Sequence, residues 1–122
     1  HRKALALARE VRPPLQHGPA EADLTLVSWG SSYGPVLEAM NRLNERGQSA
    51  NMVHLVDLWP FPAEGTRAAL AGARRLVSVE GNVGGQLAWL IHAETGITMD
   101  QQVLRYDGRG FTADYVLAHL EG

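Results

Sequence analysis

Short apolar runs alternate with segments of helical periodicity along this 122-residue chain, and the alternation restricts the folds it can adopt. The apolar runs span 24–29, 52–58, 76–80 and 102–106, and we predict a β-strand at each, with 24–29 buried on both faces. The segments between them have the spacing of amphipathic helices. Strands that alternate with helices of roughly 10–15 residues form βαβ units, so we expect a parallel sheet covered by helices on both sides.

The first 22 residues differ from the remainder. Residues 1–12 have helical spacing and contain four of the eleven basic residues, and Pro13 and Pro14 end that pattern. Such a basic start is a nucleic-acid arm or, more often, a solvated linker or a helix end that docks on a neighbouring domain. We interpret 1–22 as a linker containing a helix and an edge strand, and 23–122 as the domain. Because the chain begins at His1 rather than Met, we expect it to be part of a longer protein.

Composition excludes several classes of function. The chain has no cysteine, which excludes disulfides, cysteine-ligated zinc or iron–sulfur sites and a cysteine nucleophile. Its net charge is −2, and an acidic domain is a poor match for a phosphate backbone, so we expect no nucleic-acid partner. No apolar run approaches the roughly 18 residues that span a membrane, so we expect no membrane partner either.

Two glycine-rich turns follow the first and third strands. If 24–29 is the central strand between 52–58 and 76–80, the turns Gly30–Gly34 and Gly81–Gly85 flank the crevice at the carboxyl edge of the sheet. Their glycines would let a ligand or partner approach the backbone closely. The alternative is that these glycines only fit tight strand-to-helix turns. Neither turn matches a nucleotide-binding fingerprint.

The first turn also matches the G-x-S-x-G pattern of a hydrolase nucleophile elbow. In that interpretation Ser32 is the nucleophile, Asp107 the acid and His119 the base, so a small serine hydrolase is the alternative function. Three features argue against it. The chain is short for that fold, only one strand clearly precedes the elbow, and His119 lies within an amphipathic terminal helix rather than on a loop.

Several other side chains have two interpretations. Glu80 ends the third strand, where its carboxylate could accept N–H bonds from the next turn or reach across an interface. We expect Asp57 to cap the turn that follows it, and His54 to be a hydrogen-bonded core histidine. Trp29 and Trp59 lie at strand ends, where an indole fills either an interface or the core.

Four segments together resemble a known family. They are DLTLVSWGSSYGPVLEAMNRLNERG, VHLVDLWPFP, RLVSVEGNVGGQLAWLI and RYDGRGF. The most specific parts are V-E-G-N-x-x-G-Q-L at Val79–Leu87 and Y-D-G-R at Tyr106–Arg109. From about Asp23 to Leu120, the chain resembles the C-terminal domain of the alpha subunit of 2-oxoacid:ferredoxin oxidoreductases, most closely the 2-oxoglutarate type. The wider class is the transketolase C-terminal domain.

The resemblance implies a fold. It is a three-layer α/β/α sandwich around a mostly parallel five-stranded sheet, with the strand at 24–29 between those at 52–58 and 76–80. One antiparallel edge strand is implied near 12–20.

The resemblance also implies a function. The parent enzyme would be cytoplasmic and would oxidatively decarboxylate a 2-oxoacid with coenzyme A, using thiamine diphosphate, Mg²⁺ and iron–sulfur clusters to reduce ferredoxin. The implied partners are an upstream thiamine-binding domain, the beta subunit and, through the holoenzyme, ferredoxin. This domain would hold no catalytic, cofactor-binding or metal-binding residue, and Glu80 should not be taken for the family's catalytic glutamate. We interpret nine residues as a contact surface: Gly30, Ser31, Ser32, Tyr33, Glu80, Asn82, Gly84, Gly85 and Gln86.

Overall fold

A computed structural model describes residues 12–81, 85–105 and 112–120 of the chain. These residues form one five-stranded sheet and four α-helices. The strands are β1 Leu15–His17, β2 Leu24–Trp29, β3 Ala50–Leu55, β4 Leu76–Glu80 and β5 Gln101–Leu104. The helices are α1 Tyr33–Glu45, α2 Ala63–Leu70, α3 Gln86–Thr95 and α4 Ala113–His119. Residues 1–11 of the helix expected over 1–12 lie outside the described residues, as do Asn82, Gly84 and Asp107.

The strand order confirms the predicted topology. The order is β1-β3-β2-β4-β5, so β2 is central, and its neighbours β3 and β4 both run parallel to it. β5 is parallel to β4. The antiparallel edge strand that the resemblance implied near 12–20 is β1, which pairs with β3 through Leu15 opposite His54.

Two hydrophobic cores cover the two faces of the sheet. Leu26 and Val27 are adjacent on β2 and both fully buried, so their side chains point to opposite faces. The core around Leu26 packs against α1 and α4, and the core around Val27 packs against α2 and α3. The three-layer α/β/α arrangement is therefore confirmed.

The third strand begins earlier than its apolar run predicts. The sequence predicts a strand from residue 52, whereas β3 starts at Ala50 and includes the polar Asn51. Asn51 is accommodated because its Oδ1 accepts a 2.6 Å hydrogen bond from Thr25 Oγ1 on β2. Its amide also donates to the Pro19 carbonyl at 2.9 Å. These long-range partners cannot be identified from local hydrophobicity.

The same strand also ends earlier than predicted. Its last residue, Leu55, pairs with Trp29, the last residue of β2, so residues 56–58 extend beyond the end of that neighbour. The apolar pattern continues to Leu58 because that side chain packs into the core on the α2–α3 face. Burial, rather than strand pairing, explains why the run looked like a strand to residue 58.

Glycines in the left-handed conformation end two of the helices, and a threonine side chain caps the start of a third. Gly47 follows α1 with φ +85°, and Gly96 ends α3 with φ +80°. Both angles lie in the left-handed region that glycine adopts without strain. Thr112 caps α4, because its Oγ1 accepts a 3.1 Å hydrogen bond from the Tyr115 backbone N–H.

The connection from β1 to β2 passes close to the sheet at Gly18. This residue has φ +92°, and a Cβ there would lie 3.0 Å from Met40 Sδ and 3.1 Å from the Ala50 carbonyl oxygen. Glycine is thus required both for the backbone conformation and for the close approach that holds β1 against β3.

Replacing Gly18 by alanine tests this requirement, with Gly47→Ala as the matched control. Gly47 also has positive φ, but a Cβ there would meet nothing within 4 Å. We expect Gly47→Ala to lower the free energy of unfolding by about 1–2 kcal/mol through backbone strain alone. Gly18→Ala should cost about 1–3 kcal/mol more, because it also crowds Ala50 and Met40. Urea unfolding of both variants measures the difference, and equal losses would show that the close approach carries no cost.

Candidate functional site at the carboxyl edge of the sheet

The carboxyl ends of β2, β3 and β4 lie along one edge of the sheet because the three strands are parallel. A single 3₁₀ turn, Gly30–Ser32, follows β2 and leads into α1. Gly85, with φ +63°, precedes α3. The first turn and the described ends of the second, Gly81 and Gly85, are thus brought to the same edge, after β2 and β4 respectively.

Ser32 is an internal hydrogen-bond donor rather than an exposed nucleophile. It is 3% exposed, and its hydroxyl donates to the Trp29 carbonyl at 3.0 Å. The His119 carbonyl accepts a 2.5 Å bond from the side chain of Gln101, the first residue of β5, so His119 lies at the amino edge of the sheet. Ser32 and His119 are consequently at opposite ends of the strands. The Ser32–His119 pair that a hydrolase would need does not assemble in this fold.

Glu80 holds the start of α3 in place. Its carboxyl group is 3% exposed, and Oε1 accepts a 2.7 Å hydrogen bond from the Leu87 backbone N–H in the first turn of α3. Among the described residues, Oε2 has no partner. Burial raises the pKa of Glu80, and hydrogen bonds from the Leu87 and Gln86 backbone N–H groups oppose that rise. The first of the two interpretations, a carboxylate that accepts N–H bonds from the next turn, is confirmed.

A second polar group lies inside the edge, between β1, β2, β3 and α1. His54 Nδ1 and Ser28 Oγ lie 2.7 Å apart, and both residues are buried, so the prediction of a hydrogen-bonded core histidine is confirmed. The Tyr33 ring packs edge-on against His54, and its hydroxyl is 2.9 Å from His17 Nε2. Burial lowers the pKa of His54, and repulsion from His17 lowers it further. Tyr33 therefore joins α1 to the two strands β1 and β3.

The partner of the Asp57 carboxylate is Arg12 rather than the turn that follows Asp57. Both of its carboxylate oxygens accept hydrogen bonds from the Arg12 guanidinium, at 2.9 and 3.0 Å. The hydrogen bond from Arg12 lowers the pKa of Asp57. This ion pair corrects the expectation of a turn cap, and it fastens the linker to the carboxyl edge. The signal was not visible in sequence because the two residues are 45 positions apart.

Two tryptophans lie at this edge and are exposed to different degrees. Trp59, in the loop after β3, is 74% exposed, and Trp29, at the end of β2, is 38% exposed. Core packing, one of the two interpretations, is therefore wrong for Trp59, whereas Trp29 is partly packed and partly exposed. Neither residue was among the nine that we interpreted as a contact surface. The sequence feature that could have indicated the exposure of Trp59 is its place just after a buried strand and beside Pro60.

Described residues line two clefts. One, of about 480 Å³, is at the amino edge, where Leu24, Leu43 and Leu117 line it together with Arg46 and Arg75. The other, of about 350 Å³, lies between α3 and β5 beside Trp89, which is 67% exposed.

The described ranges contain no cluster of three or more histidine, aspartate or glutamate side chains that could hold a metal ion. None of their helices has the length and apolarity needed to cross a membrane.

Glu80→Gln tests the electrostatic state of the buried carboxyl. Because the pKa of Glu80 is raised above its ordinary value of 4.5, its stabilising contribution is complete below that value and is lost as pH rises through the folded-state pKa. Glutamine keeps an acceptor for the Leu87 N–H and carries no charge. The variant should therefore gain stability relative to the wild type between about pH 4 and about pH 8, measured by urea unfolding.

The exposed Glu64 provides the control for this measurement. Glu64→Gln should change stability by less than about 0.5 kcal/mol at both pH values. If the free energy of unfolding of the wild type instead rises relative to that of Glu80→Gln as pH rises, the fold favours the ionised carboxylate.

Comparisons with known proteins identify the family. The family model of the transketolase C-terminal domain matches residues 16–98. Subunit alpha of 2-oxoacid:ferredoxin oxidoreductase 2 from Aeropyrum pernix is 39% identical over 93 residues, which are 76% of this chain and 14% of the relative. The chain thus spans a small part of the curated relatives that it matches.

Two solved structures are similar over most of the chain. The 2-oxoglutarate:ferredoxin oxidoreductase of Magnetococcus marinus, with 2-oxoglutarate, coenzyme A and succinyl-CoA bound, superposes with a TM-score of 0.85 at 30% identity. That match covers 95% of this chain and 20% of the other. The alpha chain of a probable 2-oxoacid ferredoxin oxidoreductase from Thermoplasma acidophilum is 39% identical, with a TM-score of 0.60, over 87% of this chain and 91% of that one. This chain belongs to the transketolase C-terminal domain family, and its relatives are alpha subunits of 2-oxoacid:ferredoxin oxidoreductases.

Proposed function

We propose that this chain is a non-catalytic assembly domain of a cytoplasmic, thiamine-diphosphate-dependent 2-oxoacid:ferredoxin oxidoreductase. The enzyme would convert a 2-oxoacid to an acyl-CoA and reduce ferredoxin. The observation that carries the proposal is the match over 95% of this chain to only 20% of a 2-oxoglutarate:ferredoxin oxidoreductase chain. A domain of that relative size would contribute one part of the enzyme, and the remaining chain would contribute the parts that bind cofactor and substrate.

The identity of the 2-oxoacid rests on the same match. The Magnetococcus structure holds 2-oxoglutarate, coenzyme A and succinyl-CoA, so 2-oxoglutarate is the substrate that we propose. Its decarboxylation and transfer to coenzyme A would give succinyl-CoA.

The side chains of this chain do not fit the cofactors of such an enzyme. A cysteine-ligated iron–sulfur cluster cannot be held by a chain without cysteine. The sequence also lacks the G-D-G…N-N pattern that holds Mg²⁺ and the diphosphate of thiamine diphosphate in the wider class. We therefore assign the iron–sulfur clusters, thiamine diphosphate and Mg²⁺ to other domains and subunits. The proposed partners are the upstream thiamine-binding domain, the beta subunit and, through the holoenzyme, ferredoxin.

The groups that could do chemistry at the carboxyl edge are used within the fold. Ser32 donates to a backbone carbonyl, and Glu80 accepts from the start of α3. His54 is bonded to Ser28 and packed under Tyr33. Glu80 Oε2 has no partner among the described residues, but the other contacts hold these buried side chains inside the fold. The edge is therefore better suited to contact than to catalysis.

The nine residues interpreted as a contact surface divide by exposure. Gly30, Ser31 and Gln86 are exposed, and these form the surface that we propose. Ser32, Glu80 and Gly85 are buried, so they would shape the two turns rather than touch a partner. Tyr33 is half-buried, and Asn82 and Gly84 lie outside the described residues.

The proposed activity predicts a defined result for the native complex. A complex purified through an affinity tag on this chain should reduce ferredoxin in the presence of 2-oxoglutarate and should require coenzyme A for turnover. The change in ferredoxin absorbance on reduction measures this activity. A purified complex that oxidises no 2-oxoacid under anaerobic conditions would contradict the proposal.

The 122-residue chain alone should be inactive. Titration calorimetry should give no heat of binding for thiamine diphosphate with Mg²⁺, because the chain lacks the residues for that site. Binding with micromolar affinity would contradict the assembly role. So would hydrolysis of an activated ester that Ser32→Ala abolishes.

A further inference from the structure

We propose that Trp59 and Trp29 anchor a docking surface for the polypeptide that lies upstream of Arg12 in the same chain. This deepens the proposed function, on which it rests, by naming the anchor residues and the occupant of the carboxyl edge. In the terms of that function, the occupant is the domain preceding this one in the alpha subunit.

The two indoles present apolar area where the sheet ends. β2 and β3 are neighbours, Trp29 is the last residue of β2, and Trp59 follows β3 by four residues. An indole that is 74% exposed, as in Trp59, leaves most of a large apolar side chain in water. Tryptophan buried at the centre of an interface is among the strongest contributors to binding energy. Covering these indoles would thus favour association.

The loop that carries Trp59 is fixed on both sides. Asp57 is held by two hydrogen bonds from Arg12, and Leu58 and Phe61 pack into the core on the α2–α3 face. The Phe61 carbonyl accepts a 2.9 Å bond from the Ala63 N–H at the start of α2. Since residues before and after Trp59 are anchored, its indole is presented by an ordered loop. A preorganised anchor loses little conformational entropy when it binds.

The path of the chain identifies the occupant. Arg12 is bonded to Asp57, two residues from Trp59, so the first described residue of the chain contacts the loop that carries the exposed indole. The linker then packs closely on α2, where a Cβ on Gly65 would lie 3.1 Å from Pro14 Cδ. A tethered partner experiences an effective concentration of roughly millimolar, which a separate molecule rarely reaches. The upstream part of the same chain is therefore the occupant to which this surface is matched.

Trp89 provides a matched control. It is 67% exposed, close to the 74% of Trp59, and it lies on α3 beside the cleft near His92 and Met99. The Arg12–Asp57 ion pair brings the chain to Trp59 rather than to this helix. Truncating either indole removes a similar exposed area, so any difference between the two variants reports on docking.

The test compares Trp59→Ala, Trp29→Ala and Trp89→Ala in the full-length alpha subunit and in the 122-residue chain. Limited trypsin proteolysis of the linker at 1–12, which precedes β1 and contains Arg2, Lys3 and Arg9, measures undocking, because a docked domain would shield those sites. In the full-length subunit we expect about tenfold faster cleavage for Trp59→Ala, a smaller increase for Trp29→Ala and none for Trp89→Ala. In the 122-residue chain Trp59→Ala and Trp89→Ala should unfold at the wild-type urea midpoint, and Trp29→Ala at a lower midpoint, because most of the Trp29 side chain is buried. A cooperative transition of each variant shows that it folds. Trp59→Phe should restore most of the protection.

Three results would overturn the inference. Equal cleavage of the Trp59→Ala and Trp89→Ala subunits would mean that Trp59 anchors nothing. Dimerisation of the 122-residue chain that Trp59→Ala abolishes would make a second copy the occupant. Protection of the linker only when the beta subunit is added would assign the surface to that subunit. The oxidation of 2-oxoglutarate by the wild-type complex tests the proposed function separately, since it does not depend on which residues anchor the domain.

Discussion

The double-sided burial of β2 is the constraint on which the rest of the structure depends. Leu26 and Val27 are both fully buried, so helices must cover the sheet on each face. Parallel neighbours on both sides of β2 satisfy this requirement, and they bring three strand ends and their connecting turns to one edge. The carboxyl edge is where α/β folds place ligand sites. Its composition therefore decides what such a domain can do.

At this edge several polar side chains are buried and bonded within the fold, whereas two indoles are exposed. Glu80 holds the start of α3, and His54 and Tyr33 tie β3 to β1 and α1. Trp59 and Trp29, at the ends of adjacent strands, expose apolar area there beside the exposed Ser31 and Gln86. A catalytic edge needs accessible titratable groups, whereas a docking edge needs exposed apolar area on a rigid base. This arrangement corresponds to the second case and agrees with the proposed assembly role.

Local patterns were enough to predict most of the fold. The apolar runs gave β2 and β4 with their observed bounds, because those strands are buried on both faces and end at glycine-rich turns. Interactions between distant residues were not accessible in this way. The hydrogen bonds of Asn51 extend β3 beyond its apolar run, and Arg12 reaches Asp57 from the linker. The exposure of Trp59 was also unreadable, since an indole beside a strand fits a core or an interface equally well.

Hydrogen exchange of the domain, alone and within the full-length alpha subunit, tests most directly whether the carboxyl edge is a docking surface. Amides in 29–33 and 57–62 should exchange at least about tenfold more slowly in the full-length subunit than in the 122-residue chain, because docking covers them. Amides in 46–49, at the amino edge beside the larger cleft, should exchange at the same rate in both. Equal exchange at 29–33 and 57–62, with new protection at 46–49, would contradict the account.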